Sequence, residues 1–141
     1  MVKAEKIICN RGAAAVEAAI ILPLLLLITF AVFEYGWLFL KSQQITNAAR
    51  HGARIAILNS AAQDYVESEI ERLMAKAGMA QSKCGYWVTY PLGDVESVAV
   101  GQPLTVTVSV LRENVDIIKN FPFIPKPTNL GASVTMAKEG P

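Results

Sequence analysis

Residues 11–30 read RGAAAVEAAIILPLLLLITF, an apolar run with a carboxylate, Glu17, set just inside its start. From Ala18 to Phe33 no side chain is charged and only Thr29 is polar. Taken from Ala13 to Leu40, the stretch carries no charge except Glu17 and Glu34. Crossing a hydrocarbon core of about 30 Å takes roughly 20 apolar helical residues, so 13–40 is expected to be a transmembrane helix. An acid inside such a helix is costly: about 2.5–3.5 kcal/mol at the centre, less towards an interface. A chain that places one there needs a partner for it.

The charges around the helix set its direction. The leader MVKAEKIICNRG, residues 1–12, holds Lys3, Lys6 and Arg11 against Glu5. Basic residues stay on the cytoplasmic side, which predicts a single-pass protein with a cytoplasmic N-terminus and an extracytoplasmic domain over 41–141. Lys41, Arg50 and Arg54 weaken that asymmetry. A cleavable secretory signal fits less well, because the apolar run is about twice the usual length, contains an acid and lacks a small-x-small site after it. Were it one, the mature chain would start near Tyr35–Ser42 and be soluble. Cys9 and Cys84 lie on opposite sides of the predicted membrane segment, so they do not pair within one chain. For Cys84, burial as a small hydrophobe is favoured over pairing between subunits.

Helical periodicity continues past the membrane. Trp37, Ile45, Ala48, Ala49, Gly52 and Ala56 recur at threes and fours, which extends the first helix from about Ala13 to about Leu58, with a kink expected at Pro23. Ser60 with Gln63 resembles a capping box. It would open a second helix ending near Ala77, with Val66, Ile70, Leu73, Met74 and Ala77 on one face and Gly78 as its stop. From Gly85 the period becomes two. Leu104, Val106, Val108 and Val110 alternate with Thr105, Thr107 and Ser109, and Ala132, Val134 and Met136 alternate with Ser133 and Thr135. Further strands are expected around Tyr86–Tyr90 and Val95–Val100, with the proline-rich NFPFIPKPTN (120–129) as a loop or sheet edge. The fold class is therefore α+β: a long N-terminal helix, a short second helix and a small antiparallel sheet.

Little here points to catalysis. His51 is the sole histidine, and no nucleophile elbow, metal-ligand spacing or glycine-rich phosphate loop occurs, so no cofactor or metal is expected. The net charge of +1, with no basic stripe or aromatic stacking platform, gives no reason to expect nucleic acid as a partner. Ala48-x-x-x-Gly52-x-x-x-Ala56 is small enough to admit a second helix backbone, or to seat the chain's own sheet. Lipid headgroups, acids of a neighbour or plain solvent would each suit Arg50 and Arg54.

The partner for Glu17 emerges if the chain is cut after Gly12. Ala13 then supplies a terminal ammonium four residues before the carboxylate. At about 4 Å and an effective dielectric near 20, their attraction is about 4 kcal/mol before desolvation, comparable to the insertion penalty. Paired between subunits, the two charges would also fix the register of otherwise slippery apolar helices. A basic leader ending in glycine, a glutamate at the fifth mature position and an early proline resemble a type IV pilin-like precursor. More narrowly, RGAAAVEAAIILPLLLLITFAVFEYG followed by QQITNAARHGARIA resembles the TadE-like family, pseudopilins or minor pilins of the bacterial tight-adherence pilus.

The resemblance implies a pilin-like fold and a set of roles. Gly12 would precede the cut made by a prepilin peptidase, Ala13 would be the new N-terminus, and Glu17 the recognition and assembly acid. Glu34 would belong to an E-Y/F-G signature, and Asn47, Arg50, Gly52 and Arg54 to the NAAR-x-GAR segment. Implied partners are the peptidase, other pilin or pseudopilin subunits, the inner-membrane assembly platform and membrane lipid. An uncleaved single-pass anchor for an extracytoplasmic binding or adaptor domain is the competing expectation.

Overall fold

The computed structural model describes residues 11–58, 61–117 and 127–140. Its first element, α1, runs Arg11–Ala56 without a break, Pro23 included. Alanine and leucine dominate the first half and are among the strongest helix formers. Thr29 satisfies its hydroxyl within the helix by donating to the Leu25 carbonyl at 2.8 Å.

Contacts divide the chain into two units, Met1–Phe33 and Glu34–Pro141. In the first, the described side chains of α1 are exposed, apart from partly buried Leu27 and Ala31. The second unit contains the rest of α1, α2 (Gln63–Lys76), α3 (Gln81–Cys84), β1 (Trp87–Thr89), β2 (Pro103–Leu111), a 3-10 turn (Arg112–Asn114) and β3 (Asn129–Ala137). It begins at Glu34, before the apolar stretch ends at Leu40.

Three stripes meet in the core of that unit: Ile45, Ala49 and Ala53 of α1, Val66, Ile70 and Met74 of α2, and the inward residues of β2. Their fit is tightest at Gly52. A Cβ there would lie 2.6 Å from Ile70 Cδ1 and 2.8 Å from Ile70 Cγ1, so the missing side chain is what lets α2 approach. The small residues of α1 thus seat the chain's own second helix and sheet.

The sheet is antiparallel in the order β1-β2-β3. Leu104 faces Met136, Val106 faces Val134 and Val108 faces Ala132, all on the core side. On the other side Thr105 and Thr135 share a hydroxyl hydrogen bond at 2.7 Å, and Thr107 and Ser133 another at 2.9 Å. The alternation read from β2 therefore sorts the two faces as expected. On β1, Val88 pairs with Val108 on the core side, and the strand is limited to three residues.

Two local expectations fail. The N-cap of α2 is Ala62, with no side-chain bond, which makes Gln63 the first helical residue and excludes the capping box. Gln63 instead donates to Glu67 one turn on, at 3.0 Å; Ser60 lies outside the described residues. Val95–Val100 forms turns, not a strand: Ser97 N–H bonds the Asp94 carbonyl and Gln102 N–H the Ala99 carbonyl, between positive-φ glycines 93 and 101. Buried Lys138 takes the Val95 carbonyl at 2.7 Å, so the backbone of this segment is committed locally and to a side chain. Most of the proline-rich loop and the leader up to Asn10, Cys9 included, also lie outside the described residues.

Candidate functional site

At the start of α1, Gly12 and Ala13 are exposed, and a Cβ at Gly12 would meet nothing within 4 Å. Glu17 lies one turn beyond Ala13 on the same face of the helix. It lines a shallow apolar groove with Ala14, Ala18, Ile21, Leu22 and Leu25. Beyond it the helix is sheathed in exposed hydrocarbon, with Ile20 71% and Phe33 68% accessible. A soluble protein rarely shows water an apolar surface of this extent. At 1.5 Å per residue, 13–33 spans about 31 Å, which matches the hydrocarbon thickness of about 30 Å. By length and composition α1 is thus a candidate membrane span.

The remaining residues singled out on α1 divide by face. Glu34 is 2% exposed, inside the second unit. Gly52 is likewise buried, against Ile70 and Val106. Ala48 and Ala56 share that inward face. Asn47, Arg50 and Arg54 are all exposed, spaced three and four apart on the opposite side of the helix. Among the described residues neither arginine forms an ion pair.

Sequence reasoning missed the role of Lys41. Its stem is buried, its ammonium sits 4.7 Å above the Trp37 ring, and Nζ donates to the Ala77 carbonyl at 2.6 Å. Ala77 caps the C-terminus of α2, where the helix dipole favours a cation. The same terminus is closed by Met79 N–H to the Met74 carbonyl and Gly78 N–H to the Ala75 carbonyl, with Gly78 at φ +75°. Trp37 in turn donates from Nε1 to the Val115 carbonyl at 2.8 Å. A lysine just past an apolar run is usually read as a boundary charge, and nothing in its spacing reveals a partner 36 residues away.

His51 belongs to a surface cluster. Its Nε2 is 3.5 Å from Glu69 Oε2, and Arg72 bonds the same oxygen at 2.6 Å. The Arg72 hydrogen bond, more than His51, holds the Glu69 carboxyl below its usual range. Cys84 is a buried thiol 3.6 Å from the Asn114 carbonyl.

Residues 12–54 match the family model described as TadE-like protein. Over its first helix, the chain is similar to that family. The match takes in Gly12, Glu17, Glu34 and the whole NAAR-x-GAR segment, and stops before α2 and the sheet. No curated protein and no solved structure matches the chain.

Proposed function

We propose that this protein is a pseudopilin or minor pilin of a tight-adherence pilus, made as a membrane-anchored precursor and cut after Gly12 by a prepilin peptidase. One observation carries the reading: a TadE-like helix keeps its apolar surface uncovered over a bilayer's thickness, with an acid one turn inside its start. Before cleavage the basic leader holds the N-terminus at the cytoplasmic face of the bacterial inner membrane. Cleavage removes Lys3, Lys6 and Arg11 and creates the Ala13 ammonium. Glu17 of a neighbouring subunit then accepts that ammonium, which offsets the cost of an acid in lipid and sets the stagger between helices. Other pilin subunits and the inner-membrane assembly platform are the partners this requires.

The test is the intact mass of the protein from its native cells. Loss of residues 1–12 is the expected result. A retained leader, with an active peptidase present, would overturn the reading in favour of a plain membrane anchor.

A further inference from the structure

A groove of about 460 Å³ lies between α2 and the edge strand β1. Asp64, Glu67 and Glu71, at helical spacings of three and four, form its acidic wall, and Tyr86 and Trp87 face them. Among the described residues none of the three acids is in an ion pair.

Tyr86 supplies an independent sign of a missing partner. Only 7% of it is exposed, yet it lines the groove and makes no hydrogen bond to the described residues. Burial first, then the nearby Glu71 and Glu67 carboxylates, push its hydroxyl up to about 12. It therefore stays a neutral donor and acceptor with no protein partner among the described residues. Trp87 keeps 38% of its surface accessible. Carboxylates, a phenol and an indole face together suit a guanidinium, which bonds the first two and stacks on the third.

The same chain carries such groups elsewhere. Arg50 and Arg54 stand exposed one turn apart, opposite the face of α1 that packs on Ile70. We propose that the acidic groove of one copy receives the Arg50–Arg54 ridge of α1 from the next copy. Plug and socket occupy different surfaces of the same unit, so the contact is head-to-tail and repeats along an array instead of closing a dimer. The inference rests on the subunit reading above, to which it adds a contact between extracytoplasmic domains.

The experiment uses full-length protein in its host, with Gln81, which lines the groove, replaced by a benzophenone amino acid. Light- and heavy-isotope populations, mixed before assembly, are irradiated as sheared filaments. A cross-link from position 81 of one copy to the Asn47–Arg54 peptide of another is expected. Reversing the ridge (Arg50→Glu with Arg54→Glu) or the groove (Glu67→Lys with Glu71→Lys) should lower its yield at least about tenfold, and combining the reversals should restore it. Tryptophan emission checks that each variant folds; should a reversal fail that check, Arg50→Gln with Arg54→Gln takes its place and should weaken the cross-link.

A cross-link mapping to another protein or segment, or one indifferent to these charges, overturns the proposal. So does failure of the combined reversal to restore it in folded protein. Intact mass separates the two readings: processed, filament-borne protein without the cross-link sinks only the groove, whereas an unprocessed leader sinks the subunit reading.

Discussion

Gly52 gives the sharpest test of how the second unit, Glu34–Pro141, is built. In an exposed helix Gly→Ala stabilises by about 0.8–1.0 kcal/mol through backbone propensity. Here the new Cβ would sit 2.6 Å from Ile70 Cδ1 and 2.8 Å from Cγ1, with Val106 Cγ1 at 3.7 Å behind them. Ile70 has no exposed surface into which to retreat. Overpacking of this kind costs about 1–3 kcal/mol, which outweighs the propensity gain. Gly52→Ala should therefore destabilise by about 1 kcal/mol and Gly52→Val by more. For a unit of roughly 100 residues, 1 kcal/mol lowers Tm by about 4–8 °C. Trp37 and Trp87 both lie in this unit, so fluorescence melts of the full chain in detergent micelles report on it. The decisive comparison is a double-mutant cycle with Ile70→Val, which deletes the nearest methyl and alone costs about 0.5–1.5 kcal/mol. Because the shortened side chain makes room for the methyl that Gly52→Ala adds, the pair should be less destabilised than the sum of the singles by at least about 0.5 kcal/mol. Additive effects, or a Gly52→Ala that melts higher than wild type, would refute the close approach of α2 to α1.

Lys41→Met keeps the apolar stem but removes the charged bond to the Ala77 carbonyl and the contact with Trp37; a loss of about 1.5–3 kcal/mol is expected in the same melts, with altered Trp37 emission. Alkaline unfolding follows from the raised Tyr86 pKa: a group raised on folding stabilises fully below its unfolded value of 10 and loses that contribution as pH rises through about 12. Tyr86→Phe should therefore flatten the fall of stability between those pH values, leaving the part due to Tyr90, whose pKa burial also raises. Glu17→Gln should insert in the membrane and fold normally but assemble poorly, and normal piliation by that variant would count against the pairing with Ala13.

What was legible in the sequence follows from where the physical signal is local. The period of two in β2 and of 3.6 in α2 reports burial directly, so both elements and their inward faces were readable from single residues. Gly78 was readable as a stop because a positive φ is a backbone demand that few other residues meet. The failures share a cause: Val95–Val100 looked extended by composition, but its carbonyl at Val95 is claimed by Lys138, 43 residues on. The helix start at Gln63 is set by packing of Val66 and Ile70, since its N-cap makes no side-chain bond. The candidate site divides along the same line. Glu17, within its apolar run, announces itself by its cost, whereas the acids of α2 look like any solvated helix face until Tyr86 and Trp87 are brought opposite them.

If the protein is the proposed pilus subunit, the two halves of α1 meet the problem of association differently. Over 13–33 its surface is hydrocarbon, and within lipid such helices attract one another only weakly and without register, so one acid can decide their alignment. Beyond Glu34 the inward face is spent: Ala48, Ala49, Ala53 and Ala56 are already covered by the chain's own core. Among the described residues no small-residue face remains there to admit a neighbouring backbone. Association through the outer half therefore draws on what stays accessible there: apolar Phe39 and Leu40, and polar Asn47, Arg50 and Arg54. Exposed charges are screened at high salt and buried apolar contacts are not. In the proposed assembly, rising ionic strength should thus loosen the contacts made by Arg50 and Arg54 while leaving apolar contacts along 13–33 intact, and the order of those losses separates the two kinds of contact within one subunit.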